Sequence, residues 1–304
     1  MVDIENKVIK KPTLLKTLLA LFCSAFMWGT GNAIARSLLI EGVDGIFIVT
    51  TRVSMVGVLI FCYYLLFNRD RFNKKLLKEG SITGLFSIFI VMWSFIFALE
   101  FISSGLVTLM ISSAPIFTIF WLKILLKEEE VTTKRYLAIA IGFLGIAYLF
   151  ITKETGLLDQ GNIFLGGSLA FIGVQSISLA TVLNRKYAPQ YKVSTWLGSQ
   201  YPLVVSLSLL AYIISGVGVS PLDSSQKIRL VILALFNLGA FMSFTWLIQR
   251  VSAMLVVTVD YLVPIVGVTT GVIFLNESFN LNIIISSIFI FFSLLLITKE
   301  EFSS

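Results

Sequence analysis

The sequence predicts an all-α integral membrane protein: ten transmembrane helices arranged as two inverted five-helix repeats. Three observations carry that expectation. Hydrophobic residues fill 57% of the 304 positions and charged residues only 13%, with a mean hydropathy of +0.94, whereas soluble domains carry about 25% charge. Ten windows are long and apolar enough to span a bilayer, which takes roughly 20 apolar residues each. The chain also repeats itself without a gap at an offset of 149 residues. That offset carries Pro115 onto Pro264, Glu128 onto Glu277, Ser103 onto Ser252 and Leu106-Val107 onto Leu255-Val256. It also carries Arg36 onto Arg185, Ser94-Phe95 onto Ser243-Phe244, Tyr63 onto Tyr212, Val56 onto Val205 and Phe22 onto Phe171. One offset held over most of the chain marks two copies of one unit.

In order, the first copy (12–155) gives windows at 14–35, 45–67, 81–100, 104–126 and 135–152. The second (161–300) gives 163–184, 193–215, 228–249, 252–275 and 280–298. The runs have helical length; barrel strands would alternate over about ten residues. The lysines ahead of the first window resemble a signal peptide, but the apolar run is too long and lacks a small-x-small cleavage site, so a retained span is expected. Gly156–Gly161 links the copies, too short a linker for anything but two interlocked halves in one transmembrane domain, 1–304.

Short-loop lysines and arginines set orientation. With the N-terminus in the cytoplasm, 18 of the 23 fall on that side and five (Arg36, Arg52, Lys153, Lys227, Arg229) on the other. Both termini are therefore expected in the cytoplasm of a plasma-membrane protein. Each copy has an odd number of spans, so the second must enter with the opposite orientation. The net charge of +6 sits in short connections between apolar runs, which argues against a nucleic-acid partner. There is no histidine and no CxxC, and Cys23 and Cys62 lie inside spans, so no metal, cofactor or disulfide framework is expected. The partners this leaves are a small-molecule substrate and the lipid bilayer, around a monomer or weak homodimer.

Polar residues inside spans are costly, so their spacing is informative. Trp28, Asn32 and Arg36 follow at i, i+4 and i+8, and Trp93, Phe97 and Glu100 at i, i+4 and i+7. Thr108, Ser112 and Pro115 form a third stripe, Gln175, Ser178, Val182 and Arg185 a fourth, and Asp260, Pro264, Gly267 and Gly271 a fifth. Faces of this kind line a central cavity or glue helices together; the Gly267/Gly271 pair reads foremost as close packing. Pro115 and Pro264 each free a carbonyl and kink their helix, as a hinge or as a packing bend. Arg52 lies about 9 Å into its span by helical rise. Glu100 is its natural partner, with Arg36 competing, as a structural ion pair or an anion-recognising one. Asp260 lies about 12 Å into its span. It could carry a proton, meet a substrate ammonium group, or pair with Arg185 or Arg250.

These residues resemble the drug/metabolite transporter superfamily in its EamA branch. The resemblance rests on Trp28-Gly29 with Asn32, Arg52 in the second span, the paired Pro115/Glu128 and Pro264/Glu277, and Gly142 with Gly145 in the fifth span. It covers 14–298 and implies a ten-helix secondary transporter working by alternating access, often on amino acids and related metabolites. The second copy departs from the pattern, with Ile177 at the position of Trp28 and Tyr201 at that of Arg52. The aromatic set Trp28, Trp93, Phe97, Trp246 and Tyr261, with arginines at its rim, suits a small amphiphilic metabolite bearing a carboxylate. The competing expectation, a membrane-embedded enzyme acting on a lipid or prenyl substrate, lacks clustered acid, base or metal ligands. No Walker motif is present, so direct drive by ATP is not expected.

Overall fold

Where no water reaches the backbone, each N–H and C=O must be paired within its own segment, and the α-helix does this in one chain segment. Apart from short connections, the described residues are helical throughout. The structure is a computed structural model, and it describes residues 12–67, 73–125, 133–158, 161–218, 221–251 and 253–303.

In order these are α1 (Leu14–Ile40), α2 (Gly45–Phe67), α3 (Lys74–Gly84), a π-helical turn (Leu85–Ile90), α4 (Val91–Ala98), α5 (Ser104–Ile111), α6 (Ala114–Leu125) and α7 (Thr133–Ile151). The second half contributes α8 (Ile163–Tyr187), a 3₁₀ turn (Ala188–Gln190), α9 (Val193–Ser215), α10 (Ser224–Arg250), α11 (Ala253–Leu275) and α12 (Leu281–Ser303). Among the described residues, seven helical stretches are long and apolar enough to cross a membrane. Three shorter apolar ones lie within α7, α11 and α12.

Two expected spans are not plain rods. Lys74–Ala98 runs through the π-helical turn, where the Ser176 hydroxyl donates to the Phe86 carbonyl at 2.7 Å. The extra residue of such a turn rotates everything after it. Ser104–Leu125 breaks at Ser112-Ser113, just before Pro115, whose ring cannot supply the missing N–H. By contrast α11 runs unbroken through its mate, Pro264. The two expected kinks are thus unequal.

Helix pairing is unchanged when the two halves of the chain are exchanged. The pair α1 and α10 corresponds to α8 and α4, α1 and α11 to α8 and α6, and α3 and α9 to α10 and α2. The pairs α2 with α9, α5 with α11 and α7 with α12 each map onto themselves.

One end of the bundle is tied by two buried carboxylates. Glu277 accepts from the Ser104 N–H at 2.7 Å, the Ser104 hydroxyl at 2.9 Å and the Gly105 N–H at 3.0 Å. Ser103, the N-cap of α5, accepts from Leu106 N–H at 3.1 Å. The first N–H groups of α5, which no helix can satisfy itself, all have partners. Glu154 accepts from the Gly156 N–H at 3.0 Å, from Asn280 at 2.6 Å and from Asn282 at 3.3 Å. At the opposite end Tyr191 stacks on buried Trp196, with ring centroids 5.6 Å apart, and donates to Glu79 at 2.8 Å. Burial and that bond push the Tyr191 phenol up to about 12.

Gly267 and Gly271 are the contact of α11 with α5. A Cβ on Gly267 would fall 2.3 Å from Thr108 Oγ1, and one on Gly271 would fall 2.1 Å from Glu277 Oε2. Gly271→Ala should therefore push the Glu277 carboxylate off α5 and lower the thermal midpoint in detergent, costing about 1–3 kcal/mol. Gly218→Ala, which would meet nothing within 4 Å, should leave it unchanged. Equal midpoints in the two variants would rule out Glu277 as the tie between α11 and α5.

Candidate functional site

Between the halves lies a cavity of about 290 Å³, at the small end of ligand pockets, which run from about 300 Å³ upward. Its walls are largely apolar and aromatic. Trp28 on α1 packs edge-on against Phe241 and Phe244 of α10, with ring centroids 5.7 and 4.9 Å away, and all three line the space together with Phe95. The polar groups on the wall are few: Asn32, Arg52, Ser87, Thr118, Thr181, Arg185 and Asn237.

Arg52 is the charge in its deep part. Its guanidinium contacts the Met92 sulfur and approaches the Asn237 side-chain oxygen at 3.4 Å. Its Nε and the Asn237 amide nitrogen are buried donors without an acceptor. Arg52 and its repeat mate Tyr201 are near enough to interact electrostatically. The expected Arg52–Glu100 pair is not formed. Along α4, Arg52 lies level with Met92, while Glu100 is eight residues further on, about 12 Å by helical rise, beside Gly45. Arg36 is also turned away from Arg52, donating to the Leu99 carbonyl. Partial burial and then Asp44 push the Glu100 carboxyl up, opposed by Arg36. At the same end Arg229 donates to Glu41, holding that carboxyl below its usual range. Its stabilisation is present at neutral pH and lost as pH falls through the lowered value.

Trp28, Asn32, Arg52, Pro115 and Arg185 thus stand on the cavity wall. Trp93 and Phe97 do not: Trp93 donates to the Ser208 hydroxyl at 3.3 Å, with Phe97 beside it. After the π-helical turn, α4 presents Val91, Met92 and Phe95 to the cavity instead. Ser112 is buried, its hydroxyl donating to the Leu109 carbonyl at 2.6 Å. Gln175 is off the wall, and α8 presents Ile177, Thr181 and Arg185. Trp246 holds Arg250 over its ring at 5.1 Å, outside the cavity. Pro264 is buried within α11 and also off the wall. The expectations for Asp260 and Tyr261 fall on side chains outside the described residues.

Sequence reasoning missed Asn237, Met92 and the three phenylalanines. For the face of α8 a signal was present: the 149-residue offset carries Trp28, Asn32 and Arg36 onto Ile177, Thr181 and Arg185. The stripe read off α8 by polarity alone shares only Arg185 with it.

The cavity treats the two ends of the bundle differently. Toward the end holding Trp196 it is lined by Arg185, Ile248, Val251 and Val256. Their repeat mates at the Glu277 end are Arg36, Leu99, Ile102 and Val107. The last three are 1%, 0% and 0% exposed. These positions border the cavity at one end, while Leu99, Ile102 and Val107 are packed away at the other.

Among the described residues, then, a multi-helix bundle holds a small cavity between its two halves that reaches toward one end. The model of the EamA-like transporter family matches residues 15–151 and again 164–299. The chain belongs to that family, and its two halves are two copies of the family's unit. Among curated proteins no relative matches. A solved structure titled only "Crystal structure of protein" has the same fold, with a TM-score of 0.66 and 17% identity, over 93% of this chain and 95% of that one.

Cysteines at Asn32, Thr181 and Asn237, in a background without Cys23 and Cys62, should react with small aqueous thiol reagents. Cysteines at Ser112 and Trp93 should not. The reverse pattern would contradict the cavity assignment.

Proposed function

We propose that the protein is a secondary transporter, moving small amphiphilic carboxylates such as amino acids across the cytoplasmic membrane by alternating access. In this reading ten spans form two five-helix repeats of opposite orientation, with both termini in the cytoplasm. The Glu277 end then faces outward, and the cavity opens inward.

One observation carries the substrate class. Arg52 sits on a largely apolar and aromatic wall with donor capacity to spare and, among the described residues, no carboxylate within ion-pair distance. A guanidinium held out of water is costly unless an anion compensates it. A substrate carboxylate supplies that anion, accepting from Arg52 and the idle Asn237 amide. The aromatic faces of Trp28, Phe95, Phe241 and Phe244 take the apolar part. The unequal ends support alternating access, since inverted halves interconvert by exchanging conformations around a fixed midplane site.

Uptake of radiolabelled amino-acid mixtures into proteoliposomes tests the reading directly. Accumulation or exchange of no carboxylate-bearing solute would overturn it. Arg52 separates a structural charge from a recognising one. Arg52→Gln should raise the half-saturation concentration about tenfold or more while leaving the thermal midpoint in detergent unchanged or higher, because an unpaired buried charge is removed. A fall in the midpoint with transport intact would mark Arg52 as structural.

A further inference from the structure

We propose that Arg36 and Arg185 are reciprocal latches: each seals its own end of the cavity by donating to an unpaired carbonyl at the end of a facing helix. The inference rests on the alternating-access reading and names the residues that hold each closed end shut.

At the sealed end the latch is engaged. Arg36 on α1 donates through Nη1 to the Leu99 carbonyl, which caps the C-terminus of α4. Such carbonyls lack an intrahelical donor, and the helix dipole favours a cation there. Glu277 and Glu100 are near enough to interact with the same guanidinium, so the cation stands beside the carboxylate that caps α5. Behind it Leu99, Ile102 and Val107 are closed from solvent.

At the open end the same parts stand apart. The repeat offset places Arg185 in the last turn of α8 and Ile248 in the last turn of α10. Both line the cavity. Among the described residues Arg185 has no hydrogen bond or ion pair, and Ile248 is the counterpart of Leu99. An unpartnered guanidinium therefore shares the cavity wall with the helix end whose counterpart Arg36 holds at the sealed end. One partner differs: the mate of Glu100 is Gln249, which donates to the Ala188 and Tyr191 carbonyls at 3.0 and 3.1 Å. The inner latch thus lacks that acidic neighbour. Closing the inner end brings Arg185 onto the Ile248 carbonyl, and opening the outer end releases Arg36 from Leu99.

Each latch biases the equilibrium toward the state in which it is made. A hydrogen bond from a charged donor is worth about a tenfold shift in such a ratio. The test uses the full chain in proteoliposomes, without Cys23 and Cys62, carrying either Ile102→Cys at the sealed end or its mate Val251→Cys at the open end. The readout is the ratio of their reactivities toward a membrane-impermeant maleimide, with access to both faces. Arg36→Gln should raise the outer-to-inner ratio about tenfold and Arg185→Gln should lower it about tenfold. The double variant should return near the parent, and Arg36→Lys, which keeps a charged donor, should stay near it. If Arg36→Gln does not fold, the fall with Arg185→Gln decides alone. A ratio that an amino-acid mixture shifts but neither arginine variant does, or that both variants shift in the same sense, overturns the latches and leaves alternating access standing. A ratio that neither the mixture nor any variant shifts overturns both.

Discussion

The sealed end depends on one buried carboxylate. Glu277 follows α11, yet it supplies the acceptors for the first turn of α5, a helix of the other half. It is 8% exposed and is tolerated there because three donors and a helix N-terminus converge on it. Gly271 and Gly105 leave room for that approach. The cap joins the two repeats where they cross, and Arg36, near enough to feel its charge, extends the tie to α1 and the end of α4. The sealing of Leu99, Ile102 and Val107 follows from how closely these helix ends are drawn together.

The repeat makes the asymmetry of the cavity interpretable. Two copies of one unit with the same helix pairing could present identical ends, but here one set of positions is shut and its mates are open. The residues between also differ, with Tyr201 as the mate of Arg52 and Ile177 as the mate of Trp28. The cavity between the ends is lined mainly by the first half and by α10. Pro115 with its break and Pro264 without one show the same division, in which matched sequence takes up two conformations.

Much of this was legible in the sequence. Hydropathy marked the apolar helices, and one ungapped offset marked the two halves now matched by the family model. The arginine in the second span was visible as an anomaly, because a charge at that depth has few uses. What was not legible depended on helix rotation. No residue type in Leu85–Ile90 announces a π-helical turn, and after it Met92 and Phe95, not Trp93 and Phe97, stand on the wall. Polarity misled on α8, where Gln175 and Ser178 drew the stripe away from Ile177 and Thr181, though it kept Arg185. Depth misled for Glu100, since counting from helix ends carries no information about which neighbour a long arginine meets.

The central claim is that the structure holds one of two interchangeable states. Spin-label distances across both ends in liposomes test it most directly, with one pair at Leu158 and Ser224 and the other at Ile124 and Lys186. The account predicts reciprocal distributions on adding an amino-acid mixture: one pair lengthens in the population in which the other shortens. Distances that stay fixed at both ends, or that lengthen together, would contradict it.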